Sequence, residues 1–395
     1  AGYELIKYIR RVYKLRESGK IVATITPPAV LEKCVADVSL LAGLLIDKFQ
    51  YHLPLYRQHQ RLEAAGFTLS RTSLTNWSGR AIDLLAPIVE AQCQHVRESS
   101  VVAMDETPIK AGRKAKGTMR QGYFWPIYGD DDEVVFHYAS SRAHEQVPRF
   151  LGSTFSGTLL SDGYQAYARY AQNHPAVTHA SCWAHCRRHF EQARDAEPQA
   201  ASEALALIAM LYRHEHTIRD QGLEGEQKLA HRSAHSEPLV DTFWRWCEAQ
   251  CQRGDLTPRN PLSKALAYAR ERRTELKVFL SDPEVPIDTN HLERALRAIP
   301  MGKKNWLFMG DPKSGERAAH FYTLIGNCHR AGIDVLRIQH HAFRLIGVHV
   351  GHKAHHIAVV FALGIVAGSH GRFTAITAIA EQMGLRLPCG VVVAQ

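Results

Sequence analysis

The sequence is poor in cysteine, and the few cysteines it has are spread along the whole chain. Its 395 residues contain eight cysteines, with no dense cluster of them. Small secreted proteins concentrate cysteines into disulfide frameworks, and this chain has no such framework. The shortage therefore favours a protein of a reducing compartment, and we expect a cytoplasmic location.

The chain also lacks a long apolar run. Its most apolar stretch, residues 357–368, is too short to cross a bilayer. It opens Ala-Gly-Tyr, without an initiator Met or a signal-peptide pattern, and we therefore expect that it is a fragment. We accordingly expect no membrane partner.

Acidic residues are fewer than basic ones, and the difference bears on the partner. There are 39 Asp and Glu against 48 Lys and Arg, a net charge of +9. A basic surplus suits a polyanion such as DNA, since each cation set on a phosphate releases a counterion. Apolar residues make up 45%, typical of a globular chain, and the length predicts two or three domains.

The N-terminal part divides into a hairpin and a helical region. Residues 1–28 alternate around Ser18-Gly19 and predict a basic β-hairpin closed by Pro27-Pro28. Residues 29–99 predict helices, one over 55–65 that stops at Gly66 and a second that Ser70 or Thr72 caps. The pair is either a helix-turn-helix that reads DNA or an ordinary helical hairpin.

Residues 100–195 change to a mixed α/β pattern. The predicted strands are 101–104, 122–128, 134–138, 157–160 and 177–181, with helices over 144–151 and 164–170. A three-strand meander followed by βα units is the layout of a ribonuclease-H-like domain. The fold class we expect is α/β, with a ribonuclease-H-like mixed sheet as the core.

The rest of the chain falls into three zones. Residues 196–282 are helical in pattern and predict an all-α insertion into the core. Residues 283–346 return to mixed character and are expected to complete the core. Residues 347–395 form an atypical tail, rich in Ala, Val, Gly and His and poor in acids.

Two aspartates follow short apolar strands. Asp105 ends the run 101–104, and Asp162 ends the strand over 157–160. If these strands are neighbours, the two carboxylates meet and could hold two Mg²⁺ ions. The alternative is that both are turn residues, because Asp commonly follows strands.

A third acid, Glu293, lies in a strongly basic segment. With Asn290 as the N-cap of a helix, Glu293 would occupy the position of a capping box. The residues around it favour a role at a site that handles DNA instead. In such a site the acid would bind a metal, the cations would contact phosphates and the aromatic ring would stack on a base. The residues concerned are Arg294, Arg297, Lys303, Lys304 and Trp306. Asp288 is the alternative third acid, and Glu106 is expected to point away from Asp105 as a strand neighbour.

Cysteine and histidine recur at helical spacing between these acids. Cys182, His185, Cys186 and His189 share one helical face and could bind zinc. We favour a structural role for Cys182 and His185 beside the acids. Arg187 and Arg188 are then expected to face DNA.

Several sequence blocks make the chain resemble the insertion sequence 66 family of bacterial transposases. They are Asp47 to Gln58, Met104 to Pro108, Ser161 to Tyr167, Cys182 to Phe190, Ile287 to Arg297, and Gly302 to Phe308 followed by Gly315 to Ala319. The blocks keep the family's order over roughly residues 40–345. The resemblance implies that Asp105, Asp162 and Glu293 form the DDE triad of a ribonuclease-H-like core.

The resemblance also implies the reaction and its partners. It implies two Mg²⁺ ions (Mn²⁺ as a substitute), two-metal cleavage of DNA at the element's ends, and strand transfer into target DNA. It further implies a homo-oligomer in the active complex, accessory proteins of the same element and association with the nucleoid. The alternatives are a non-catalytic DNA-binding relic and a ribonuclease-H-like nuclease or resolvase.

Two departures from the family pattern qualify the resemblance. Family members carry a cysteine-rich, zinc-binding segment near the N-terminus, and here only Cys34 precedes residue 90. The tail after about Leu336 leaves the pattern too, as a frameshifted end would. Both departures bear on whether this copy of the element is active.

Overall fold

The computed structural model describes residues 3–23 and 29–336. The expected Pro27-Pro28 closure and the atypical tail over 347–395 lie outside the described residues. The chain forms two compact units. The first contains the described residues up to 91, residues 304–307 and those from 328 on, and the second contains residues 92–303 and 308–327.

The first unit combines a short hairpin with helices. Strand β1 (Val12–Lys14) pairs antiparallel with β2 (Ile21–Ala23). The helices are α1 (Val38–Phe49), α2 (Leu55–Ala64) and α3 (Arg71–Leu84), and α4 (Ala86–Arg97) begins in this unit and ends in the second. The predicted helix pair is confirmed: the Ser70 hydroxyl accepts from Ser73 N and caps α3, while Gly66 follows α2 with φ +89°.

The second unit contains a six-stranded mixed sheet. Its strands are β3 (Val101–Met104), β4 (Thr107–Ala115), β5 (Thr118–Tyr128), β6 (Val134–Ala139), β7 (Gly157–Ser161) and β8 (Val177–Ser181). All five predicted strands are present. Strand β4 was missed, because Lys, Arg and Gly break the apolar alternation of its sequence and only part of it is buried.

Strands β3 and β4 act as one interrupted strand along β5. Ala103 pairs with Tyr128 and Thr107 pairs with Phe124, so the antiparallel register is the same on both sides of the gap. Pro126 lies in the β5 part of this gap and has no N–H to donate. The order across the sheet is β6, β5, β3 with β4, β7, β8, and β3, β7 and β8 run parallel.

Helices connect the later strands of the sheet and make up most of the chain after its last strand. They are α5 (Gln146–Leu151), α6 (Gln165–Asn173), α7 (Trp183–Gln192), α8 (Pro198–Asp220), α9 (Gly225–His231), α10 (Glu237–Cys251), α11 (Pro261–Glu271), α12 (Asn290–Leu296), α13 (Ala298–Trp306) and α14 (Pro312–Arg330). A π-helical turn (Arg232–Ser236) follows α9, and a 3-10 helix (Glu275–Leu280) follows α11.

Helix α14 closes the edge of the sheet. The Thr323 hydroxyl accepts from Phe136 N at 2.9 Å, and Asn327 Oδ1 accepts from Val134 N at 2.9 Å. These bonds satisfy donors of the edge strand β6 that would otherwise be open to pairing with another chain. Both acceptors are buried, so the helix is held to the strand by polar contacts inside the core.

Among the described residues, no helix combines the length and apolarity needed to cross a membrane. The seven cysteines in this part of the chain are all free thiols.

Candidate active site

Two neighbouring parallel strands end in acids at the same edge of the sheet. Met104, the last residue of β3, pairs with Ser161, the last residue of β7. Asp105 and Asp162 follow these paired residues directly. Both line a cleft of about 380 Å³.

The environment of Asp105 opposes its ionisation. Burial acts most strongly, and the charges of Asp162 and Glu106 add to it, so the pKa of Asp105 rises to about 8. One hydrogen bond acts in the other direction, from Glu106 N to Asp105 Oδ1 at 2.7 Å. The loop after Asp162 is held similarly, because Asp162 Oδ1 accepts from Tyr164 N at 2.8 Å.

Glu293 reaches the same cleft from helix α12. Its Oε1 atom lies 3.4 Å from Arg188 Nη2 and 3.7 Å from His185 Nε2, and the carboxylate is one-third exposed. The three predicted acids therefore line one cleft, although they are 57 and 131 positions apart in the chain.

The capping box, which was the alternative role for Glu293, does not form at the start of α12. Thr289 is the N-cap, Asn290 is already helical, and Glu293 N donates to Thr289 O. The Asp288 carboxylate accepts instead from Asn290 N at 2.9 Å and from Asn290 Nδ2 at 2.6 Å. Asp288 is thus engaged in the turn that precedes the helix and is not among the residues that line the cleft.

Glu106 lies in the cleft, contrary to the expectation that it points away. Side chains alternate only along a regular strand, and the ladder is interrupted at residues 105 and 106. The Glu106 side chain is 2% exposed, pairs with Arg142, and accepts from the Tyr167 hydroxyl at 2.5 Å. Burial raises the pKa of Glu106, while Tyr167 and Arg142 act against that rise.

The structure places only some of the basic residues predicted to contact DNA at the cleft. Arg188 and Arg297 line the cleft, together with Arg142, which the sequence did not single out. Arg187 is exposed and pairs with Glu191 one turn along α7. The remaining predicted residues lie outside the cleft lining: Arg294 is exposed, Lys303 is half-buried, and Lys304 and Trp306 belong to the first unit.

Arg142 carried no signal in the sequence strong enough to indicate a site. It follows β6 in Ser140-Ser141-Arg142, a turn with no apolar residue, and its guanidinium packs over the Tyr164 ring at 4.1 Å. Only the fold brings this turn beside Glu106. A lone arginine in a loop is too common for its position to indicate a site.

Cys182 lies where β8 gives way to α7, in contact with the segment that leads to Glu293. Its buried sulfur accepts from Thr289 N and from the Thr289 hydroxyl, both at 3.3 Å. Trp183 N donates to Ile287 O at 3.0 Å and strengthens the same junction. These contacts join the end of the sheet to the start of α12.

The cysteine and histidine pattern does not form a zinc site in the part of the chain described. Cys186 is fully buried, and burial raises the pKa of its thiol, which disfavours the thiolate that zinc requires. The His189 ring stacks on Tyr268 at 4.1 Å. His185 faces Glu293, and burial lowers the pKa of its imidazole.

The donors in the cleft fit a hard divalent cation in chemistry. Asp105, Asp162 and Glu293 offer carboxylate oxygens, the ligands that Mg²⁺ prefers. The mutual repulsion of Asp105 and Asp162 would be relieved by a cation between them. Among the described residues, however, no three Asp, Glu, His or Cys side chains are already arranged as a ligand set. Glu293 in particular faces Arg188 and His185.

Fold and cleft together define a mixed α/β protein with a carboxylate-lined candidate catalytic site. Sequence comparison identifies the family: the profile of the Transposase IS66 family matches residues 33–317, and the chain belongs to this family. The chain is also similar to three proteins of Sinorhizobium fredii (strain NBRC 101917 / NGR234).

These relatives are the uncharacterized proteins y4qI, y4hP and y4jD. The identities are 28%, 29% and 29%, over 85%, 84% and 82% of this chain. The aligned regions cover 64%, 63% and 66% of the three relatives, so the chain spans just under two thirds of their length.

Proposed function

We propose that this chain carries the catalytic centre of a DNA transposase, which cuts phosphodiester bonds at the ends of its element and joins them to target DNA. The observation that carries the proposal is the meeting of Asp105, Asp162 and Glu293 in one cleft. Their strand ends and helix lie within the segment that matches the transposase family.

The strand order of the sheet supports a ribonuclease-H-like fold for the core. With β3 and β4 taken as one strand, a three-strand antiparallel meander is followed by two parallel strands joined through helices. That is the layout predicted from the sequence. In it the first and fourth strands of the core are neighbours, which explains why Asp105 and Asp162 meet.

Asp105, Asp162 and Glu293 are the residues that would hold Mg²⁺. When bound there, such ions supply Lewis-acid activation of water and neutralise charge on the phosphate. The arginines at the cleft have a separate role. Arg142, Arg188 and Arg297 provide donors that orient a phosphodiester against the acids, and a guanidinium matches two phosphate oxygens at once.

Glu106 acts on the site through its neighbours. Its carboxylate joins Arg142 to Tyr167, and Tyr167 is fully buried. This network fixes Arg142 at one wall of the cleft, so Glu106 and Tyr167 are positioning residues. Positioning and charge neutralisation are the protein's main contributions to phosphoryl transfer.

The helix pair of the first unit is the proposed DNA reader. Helices α2 and α3 are joined by a short turn after Gly66, and α3 exposes Arg71, Thr72 and Thr75. Short polar and basic side chains on the second helix of such a pair suit contacts in a DNA groove. A homo-oligomer and accessory proteins stay predictions from the family resemblance.

The triad is tested by Asp105→Asn, Asp162→Asn and Glu293→Gln in the full chain. Each variant should abolish Mg²⁺-dependent cleavage of a duplex that carries the repeats flanking the coding region. Each should keep its affinity for that duplex, because the acids contribute to the reaction more than to DNA binding. Cleavage is read on a denaturing gel and binding by fluorescence anisotropy.

Asp288→Asn is the matched control, since this acid is close in sequence to Glu293 but outside the cleft lining. It should retain cleavage. Loss of cleavage in Asp288→Asn together with near-normal cleavage in Glu293→Gln would assign the third acid to Asp288. Joining of a pre-cut 3′ end separates a transposase from a nuclease or resolvase, and binding without cleavage by the wild type would indicate a relic.

A further inference from the structure

The β4–β5 hairpin forms a basic projection that continues directly from the wall of the cleft. We call residues 110–121, with their turn at Lys116-Gly117, the basic hairpin. It is distinct from the N-terminal hairpin predicted over residues 1–28. It carries five exposed cations: Lys110, Arg113, Lys114, Lys116 and Arg120. Thr107, at the start of β4, lines the cleft beside Asp105.

The charge of this hairpin is not compensated within its own sequence. Residues 107–129 contain no Asp or Glu. None of the five cations takes part in an ion pair among the described residues. Asp311 adjoins the base at Gly112, but its carboxylate accepts from Ser314 N at 2.8 Å and from the Ser314 hydroxyl at 3.1 Å.

The base of the hairpin is held in place, whereas its end is exposed. Met309 N donates to Lys110 O at 2.8 Å, and Gly112 N donates to Met309 O at 3.1 Å. Gly112 has a φ of +73°, and a Cβ there would lie 3.3 Å from Pro312. Beyond this anchor, residues 113–118 are all exposed.

Two irregularities in the ladder spread the cations around the hairpin. The register shifts between Lys110 and Arg113 and again between Arg113 and Ala115. Bulges of this kind increase the local twist and redirect side chains. The charges are therefore presented on more than one side of a narrow two-stranded ribbon, which suits contacts with phosphates that border a groove.

The residue types of the basic hairpin favour duplex DNA over single-stranded DNA as the ligand. Proteins that bind single strands stack bases on aromatic rings. The basic hairpin has no aromatic residue, and its positions between the cations are mostly Ala, Gly and Thr. Its chemistry therefore serves phosphate contacts that do not depend on base sequence.

Strand geometry gives the distance over which the hairpin acts. From Thr107 to Ala115 is eight residues, and at roughly 3.3 Å per residue the tip lies about 25 Å from the cleft. At about 3.4 Å per base pair this corresponds to about 7 base pairs of duplex.

We propose that the basic hairpin clamps the phosphate backbone of duplex DNA about 7 base pairs from the bond held at the cleft. The proposal rests on the proposed function, because it takes DNA as the substrate at the acids. It assigns to residues 110–121 a role that neither the sequence patterns nor the family resemblance had given them.

The test compares two triple variants of the full chain with equal loss of charge. The hairpin variant is Arg113→Gln, Lys114→Gln and Lys116→Gln. The control variant is Arg219→Gln, Arg259→Gln and Lys264→Gln, three exposed cations on the helical insertion. Thermal melting of all three proteins checks that they fold alike.

Affinity for a duplex of about 40 base pairs is measured by anisotropy between about 50 and 200 mM salt. Each phosphate that is no longer neutralised should lower the salt slope by about 0.9, so the hairpin variant should fall by up to about 2.7. The control variant should fall by less than half as much. A second duplex has only about 4 base pairs on one side of the bond to be cleaved. On that duplex the difference in affinity between wild type and hairpin variant should disappear.

The outcomes separate the clamp from the catalytic proposal. An unchanged salt slope in the hairpin variant overturns the clamp, while Asp105-dependent cleavage would leave the transposase proposal standing. An equal loss of affinity for a single strand of the same sequence overturns the duplex assignment. A wild-type chain that binds no DNA overturns both proposals.

Discussion

Folding places the Asp105 carboxylate in an environment that disfavours its ionised form. In the unfolded chain it is exposed and ionises with an ordinary Asp pKa, whereas burial and Asp162 raise the folded value to about 8. The folded state therefore binds the proton more tightly than the unfolded state. Between about pH 4 and pH 8, stability due to this group falls as the pH rises.

Asp105→Asn should remove that pH dependence. Without divalent cations, the variant should be more stable than the wild type at pH 8, and the difference should shrink toward pH 5. The scale is about 1.4 kcal/mol for each unit by which the pKa is raised. Urea unfolding at pH 5, 6, 7 and 8 in EDTA measures the effect.

A wild type that gains stability over this pH range, with Asp105→Asn below it throughout, would contradict the prediction. Mg²⁺ supplies an internal control. It should stabilise the wild type more at pH 8 than at pH 6, because the cation binds the ionised carboxylate. It should stabilise Asp105→Asn little at either pH.

At the scale of elements, the helical insertion buttresses the loop that carries Asp162. Gly163 follows Asp162, and its carbonyl accepts from Arg272 Nη2 at 2.9 Å, just beyond α11. A Cβ on Gly163 would lie 2.6 Å from the Tyr268 ring and 2.9 Å from Arg272 Nε. The close approach of α11 to the acidic loop thus requires glycine at this position.

Gly163→Ala should destabilise the protein by about 1–3 kcal/mol, as overpacking of a filled site does. It should also lower cleavage, because the displaced loop carries Asp162. Gly43→Ala is the matched control, since Gly43 lies within α1 and nothing is within 4 Å of its added Cβ. That control should be neutral or stabilising by about 0.5–1 kcal/mol.

Thermal melts and cleavage rates of both variants test this role of the insertion. If Gly163→Ala has the stability and the cleavage rate of the wild type, the helical insertion adjusts to the added methyl group at little cost. The insertion then does not hold the Asp162 loop in place. Gly163→Ala combined with Tyr268→Ala should recover part of the lost rate, because the ring that blocks the added methyl group is gone.

At the scale of the whole molecule, charge is distributed unevenly along the chain. The net charge is +9, yet the candidate cleft is lined by four carboxylates. Basic residues lie at the cleft, on the basic hairpin and on α13. A net positive charge attracts a polyanion, while the carboxylates of the cleft offer oxygens of the kind that divalent cations prefer.

Lys303→Gln with Lys304→Gln should weaken binding to all DNA sequences alike. Binding to phosphates carries no sequence information, so the salt slope should fall by about 1 for each phosphate that a lysine had neutralised. Anisotropy titrations on two unrelated duplexes measure this. An unchanged slope would place both lysines away from DNA, and loss of binding to one duplex only would indicate that the lysines read bases.

Much of the core could be read from local patterns because they depend on short-range physics. The apolar runs at 101–104 and 157–160 predicted two buried strands with acids at their ends. Ser70 and Gly66 marked the boundaries of two helices, since a hydroxyl caps an N-terminus and glycine tolerates a positive φ. The order of elements was enough to expect a mixed sheet, which the structure shows.

Other features depended on interactions between distant residues. Strand β4 has a basic, glycine-containing sequence that predicts no strand, and it pairs because β5 returns beside it. Glu106 is directed into the cleft by an interrupted ladder, and no alternation rule foresees that interruption. The start of α12 is set by Asp288 and by the bonds from Thr289 to Cys182, 107 residues away.

The sequence by itself determined the residue types that the site requires: acids after apolar strands, another acid in a basic segment, and cations in excess. Only the tertiary structure decided which of them share a cleft, because burial, repulsion between carboxylates and strand register arise when distant segments pack. Asp162 and Glu293 line one cleft for that reason, whereas Asp288, five residues before Glu293, is engaged in a turn outside it.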